Sequence, residues 1–82
     1  MHIEMRDDRR FQGTPVQIVQ AMKNIAFGVE HLSLSEYIDW VAAQALKFEG
    51  VTLDVAGASA EEKARALVEA MIATGLTSVV QE

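Results

Sequence analysis

Apolar and polar positions alternate at the start of the chain and then switch to a helical period. His2-Ile3-Glu4-Met5-Arg6 places Ile3 and Met5 on one face, the signature of a half-buried strand. Asp7-Asp8 interrupts it, and Arg9-Arg10-Phe11-Gln12-Gly13 follows, so the two stretches predict a hairpin. Cross-strand partners share a face, and this tests the loop length. A two-residue Asp7-Asp8 loop would set Met5 against Arg10 and Phe11 against Glu4. A three-residue loop over 7–9 pairs Met5 with Phe11 and keeps apolar residues opposite each other. It is therefore the expected one, a type I turn plus bulge with its left-handed position near Arg9.

Thr14 caps the first predicted helix, Pro15 takes its first position, and Gln17 completes a T-x-x-Q capping box. Pro15, Ile18, Val19, Met22, Ile25 and Ala26 line one face, and Gly28 is the expected stop. Ser33 and Glu36 form a second box, S-x-x-E. That helix is predicted to run to Phe48 or Glu49 and to end before Gly50. On a helical wheel Leu34, Ile38, Val41, Ala45 and Phe48 make its core stripe, with Tyr37 at the edge. Val51, Leu53 and Val55 alternate with Thr52 and Asp54, predicting a short strand over 51–55. Ser59 and Glu62 cap a third helix with the stripe Ala64, Leu67, Val68 and Met71, ending at Gly75. The tail, 76–82, is expected to add an edge strand or to fray. The order ββααβα implies one α+β domain over 1–82: a small, mainly antiparallel sheet with helices packed on one face.

Composition narrows the class. With 82 residues the chain holds one small domain, and half of the residues are hydrophobic, which argues against intrinsic disorder. There is no cysteine, and "MHIEMRDDRR" has no apolar core of a signal peptide, so a cytoplasmic location is expected. Every apolar run is far short of the roughly 20 residues that span a bilayer, so no membrane association is expected. A net charge of −5 argues against a nucleic-acid backbone as the default partner.

Catalytic and metal chemistry find no anchor. The two histidines, His2 and His31, lie apart, and His31 beside Glu30 reads as a solvated turn. Neither an H-E-x-x-H nor a cysteine pair supplies a zinc ligand set, and the glycines form no phosphate cradle. The first three serines are accounted for by helix capping, and none sits in a G-x-S-x-G elbow. Asp7-Asp8 reads as a turn. No enzyme, cofactor or metal is expected.

The apolar residues left over point elsewhere. Trp40 falls roughly 120° from the centre of the second helix's stripe, beside Glu36, Ala43, Gln44 and Lys47. Leu46 and Phe27 are also off-stripe. Tryptophan is enriched in interface hot spots, and a small chain with more apolar surface than one core absorbs commonly forms a symmetric dimer. Trp40, Leu46, Phe27 and Lys47 are the interface candidates. The leading expectation is a non-enzymatic protein-interaction module, a homodimer or a domain docking onto a protein partner.

Two stretches resemble known families. A strand, a helix from Thr14 and then "LSLSEYI" are similar, over about residues 2–48, to ribbon-helix-helix repressors and antitoxins. That resemblance implies a DNA-binding regulator in which the first strand pairs with its mate. Arg6, Arg10 and Gln12 would then enter the major groove, and Ser33 or the helix opening would meet phosphate. Glu4, Asp7 and Asp8 match the arginines locally, and the capping box accounts for Ser33 and Glu36, so this reading is the alternative. "VTLDVAGASAEEKARALVEAM" is similar to the last strand and helix of the histidine-containing phosphocarrier of the sugar phosphotransferase system. The corresponding first-helix start here, Gly13-Thr14-Pro15-Val16, has no histidine, so the resemblance implies an antiparallel α+β fold and no active site. A third class, an auxiliary subunit, would require an apolar pocket with convergent polar groups.

Overall fold

The strand nearest the N-terminus occupies the middle of the sheet. β1 (His2–Met5) lies between β2 (Arg10–Gln12) and β3 (Thr77–Val79), and both pairings are antiparallel. The computed structural model describes residues 1–80. Ile3 stands opposite Phe11 on one side and Val79 on the other, and Glu4 opposite Arg10 and Ser78. One face therefore carries Ile3, Met5, Phe11, Thr77 and Val79, with Ile3 and Thr77 buried and Val79 exposed at the end of its strand. The other carries Glu4, Arg10, Gln12 and Ser78, with Arg10 Nε 2.8 Å from Glu4 Oε2 across the strands.

The hairpin loop has three residues, as expected, but they are 6–8 rather than 7–9. The Met5 N–H donates to the Arg9 carbonyl (2.7 Å) and the Asp8 N–H to the Met5 carbonyl (3.1 Å). The left-handed position falls on Asp8 (φ 70°), not Arg9. Aspartate tolerates that region better than arginine, and Asp7 Oδ1 accepts from the Arg9 N–H (3.3 Å) to brace the turn. Phe11 consequently pairs with Ile3, not Met5. Sliding the loop by one residue moves the register by two, so every side chain keeps its face.

The expected strand over 51–55 makes no pairing in the sheet; Thr77–Val79 is the third strand. The alternation was a true report of burial, since Leu53 is buried and Thr52 and Asp54 are exposed. It carried no information about hydrogen bonding. The free edge of β1 is taken by the tail: the Thr77 hydroxyl donates to the Glu4 carbonyl (2.6 Å) and the Val80 N–H to the His2 carbonyl (2.8 Å). The tail thus forms the edge strand, with positions 81–82 outside the described residues.

The helices start where their caps place them. Thr14 with Gln17 opens α1 (Pro15–Ile25), and Ser33 with Glu36 opens α2 (Leu34–Gln44), both as complete capping boxes. Ser59 accepts from the Glu62 N–H at the start of α3 (Ala60–Ala73). α2 continues into a π-helical turn over Ala45–Glu49, closed by the Gly50 N–H on the Ala45 carbonyl. Gly50 is left-handed (φ 67°), the conformation that ends a helix most cheaply with glycine. α1 contacts β2, α3 contacts β3, and α2 packs across both helices. Ile3, Ile18, Val19, Ile38, Leu67 and Val68 are fully buried between these layers.

Two residues expected on the buried stripes, Phe48 and Ile25, are instead exposed. Ile25 is the last residue of α1. Phe48 sits in the π turn, whose wider i→i+5 spacing takes it off the face that an α-helical wheel assigns.

Lys63 of α3 ties the helices together. Its side chain is 13% exposed, and its Nζ lies 2.8 Å from Asp39 Oδ1, 2.7 Å from Ser35 Oγ and 3.2 Å from the Ser35 carbonyl. A cation beside the first turn of α2 opposes the helix dipole, and these acceptors offset that. Lys63→Ala is expected to lower unfolding free energy by about 1–3 kcal/mol, and Asp39→Ala, whose carboxylate is mostly exposed, by less than about 1 kcal/mol. Urea titration of both variants checks the ranking.

Glu36 supplies a pH-dependent contribution. Accepting the Ser33 N–H (2.9 Å), with help from the Ser33 hydroxyl, holds its carboxyl below the usual value. A depressed folded value means that the stabilisation is present above the ordinary carboxylate range and is lost as pH falls through the depressed one. Glu36→Gln should flatten the acid limb of the stability profile, read from urea midpoints at neutral and acid pH.

Candidate interaction surface

Two apolar grooves meet on one side of the molecule. The larger, about 390 Å³, runs between the α2 end, the hairpin and the end of α3. Its floor includes Met5, Met22, Met71 and Leu53, and its wall Trp40 and Phe48. The smaller, about 200 Å³, lies between the hairpin and the end of α1, beside Phe11, Ile25 and Ala26. Met5, Met22 and Tyr37 line both, so the two form one continuous face. Methionine floors of this kind adapt their shape to what they meet.

The charged groups on this face cancel. Arg6 and Glu49 line the larger groove with Arg6 Nη1 3.5 Å from Glu49 Oε2. Asp7 and Arg9 line the smaller one at 3.2 Å. Arg6 is further held by its Nε–H on the Gly75 carbonyl (3.2 Å). The face is neutral although the chain carries −5. Acidic charge gathers elsewhere, as along α3 at Glu61, Glu62 and Glu69.

The sequence-predicted interface residues divide. Trp40 is 39% exposed, and its ring stacks on Tyr37 (centroids 5.8 Å apart, 24° between planes). Lys47 lies over the Phe48 ring, 5.2 Å from its centroid. Phe27, 95% exposed, projects just past α1. Leu46 is 56% exposed but does not line the groove. Sequence reasoning missed Phe48, which is 70% exposed and belongs to the groove wall. The available signal was Gly50 two residues on, since a wheel loses meaning where a helix is ending. It also missed the methionine floor, which comes from β1, α1 and α3 together.

The predicted DNA contacts are not gathered. Arg10 is paired with Glu4 on the outer sheet face, Arg6 with Glu49 at the groove, and Gln12 is exposed opposite His2. Both edges of β1 are hydrogen-bonded within the chain, so a ribbon with a mate would have to displace β2 or β3. The phosphocarrier-like strand at 51–55 is unpaired. Among the described residues no group of three His, Cys, Asp or Glu is placed to hold a metal ion, and no helix is long and apolar enough to cross a membrane. No protein-family model, curated protein or solved structure matches the chain.

Tyr37, 4% exposed, anchors the junction of the grooves, and burial pushes its phenol above the usual value. A raised folded value means that this contribution to stability is present below the unfolded phenol's pKa, near 10, and is lost as pH rises through the raised one. Near-ultraviolet titration should give a higher midpoint for the folded chain than for the chain in urea. Equal midpoints would place the phenol in open water.

Proposed function

We propose that the chain is a non-enzymatic, cytoplasmic interaction module that self-associates through the C-terminal half of its second helix. The observation that carries this reading is the Trp40–Phe48 wall. Two aromatic side chains stand exposed beside an apolar, charge-balanced groove. Contiguous apolar surface rimmed by polar groups is characteristic of association sites. A chain of this size also buries a small share of its surface alone, so association adds materially to its stability.

Light scattering over a concentration series tests the proposal, with Trp40 emission followed in the same samples. The monomer mass is 9.0 kDa. The expected result is a mass rising toward twice that value, with Trp40 emission shifting to the red on dilution. Trp40→Ala should weaken association by about tenfold or more while leaving far-ultraviolet circular dichroism unchanged. A monomer at every concentration would overturn the proposal.

A further inference from the structure

The turn that follows the smaller groove carries a projection. Phe27 follows Ala26, which lines the smaller groove, and almost its entire surface is exposed. It is not on a loose end. Ala26 packs against the core, Val29 is buried, and the Val29 carbonyl accepts from the Leu32 N–H (3.0 Å). The aromatic ring is thus presented on a short turn anchored at both sides, a low-entropy way to offer a contact.

Charge follows the same division. Glu30 lies three residues after Phe27, exposed, and Lys47 sits beside Phe48, also exposed. Neither has an ion-pair partner among the described residues, whereas the arginines and carboxylates lining the grooves are paired with each other. An unpaired anion accompanies the projection, and an unpaired cation accompanies the groove.

We infer that a second copy of this chain occupies the groove in a two-fold arrangement. Phe27 of each copy enters the Trp40–Phe48 groove of the other, and Glu30 of each pairs with Lys47 of the other. A two-fold interface must be self-complementary: if a residue of one copy meets a second residue of its partner, the reverse contact also forms. The pairing inferred here meets that condition. The two grooves share Met5, Met22 and Tyr37, so an axis near those residues brings the projecting half of one copy onto the grooved half of the other, twice. The groove, at about 390 Å³, has room for a phenyl ring. The neutral rims let two chains of charge −5 approach on this side with little local repulsion.

This inference rests on the self-association proposed above, and the experiment separates the two. Glu30→Lys and Lys47→Glu are made singly, and each is examined by light scattering and sedimentation alone and as an equal mixture. In the two-fold arrangement each variant by itself opposes like charges at both pairs. The mixture restores both pairs, Lys at 30 with Glu at 47 and the native Glu30 with the native Lys47. The expected result is a roughly tenfold weaker association for each variant alone, recovered in the mixture and lost again at high salt. Phe27→Ser should weaken association by about tenfold or more while leaving the urea midpoint unchanged at dilutions where the parent chain is monomeric, since the ring is exposed in the monomer. Dimers unaffected by Phe27→Ser, or no recovery on mixing, would overturn this arrangement while leaving self-association standing. A parent chain that stays monomeric would overturn both.

Discussion

The pairing of β1 with β3 is the constraint on which the rest of the molecule depends. It joins Ile3 to Val79 and so closes nearly the whole described chain into one loop. Closing a loop of that length costs conformational entropy, though the cost grows only slowly with length. It is offset by the backbone ladder, by the buried Thr77 hydroxyl on the Glu4 carbonyl, and by burial of Ile3 beneath the helices. With β3 in place, α3 is held against that edge strand, and α1 lies against β2, the other edge strand. α2 then has a single bed available, across α1 and α3. The grooves are what remains where α2 stops short of the hairpin.

Local chemistry was legible in the residues, and long-range pairing was not. Thr14 with Gln17, Ser33 with Glu36 and Ser59 before Glu62 located three helix starts, because a cap satisfies backbone N–H groups within its own turn. The α3 stripe of Ala64, Leu67, Val68 and Met71 is buried as its period implies. The α+β class and the three-stranded antiparallel sheet followed from the same patterns. Alternation points to 51–55 rather than Thr77–Val79 as the third strand because it records only which side faces the core. Both 51–55 and Thr77–Val79 have one inward face, and only the ladder distinguishes them. The site was legible in half: Trp40, Lys47 and Phe27 stood out as residues with no place on a stripe. The groove that Trp40 lines is assembled from β1 and all three helices, and no local pattern encodes it.

Electrostatics on the candidate face act through neutrality rather than strength. The Arg6–Glu49 and Arg9–Asp7 pairs are well exposed, and such pairs contribute little to stability. Their effect is to leave no net charge around an apolar groove in a chain that is acidic overall. Such a surface neither attracts a polyanion nor repels a second copy. Glu30, three residues after Phe27, and Lys47, beside Phe48, are exposed and of opposite sign, which is the pairing the inferred arrangement uses to set register between partners.

The π turn at Ala45–Glu49 links fold to surface. Had α2 continued as an ordinary helix, Phe48 would have extended the stripe of Ile38, Val41 and Ala45 into the core. Instead its ring stands largely exposed beside Trp40. Leaving a phenylalanine side chain in water forgoes about 1.5–3 kcal/mol of burial, a large sum for a chain of this size. π turns within helices concentrate at functional positions, where the wider spacing re-aims a side chain that regular geometry would hide. Here the re-aimed side chain completes the groove wall, and Lys47 above it supplies the one cation there that lacks an ion-pair partner among the described residues. The burial that the monomer forgoes at Phe48 is the burial that a partner ring in the groove would restore.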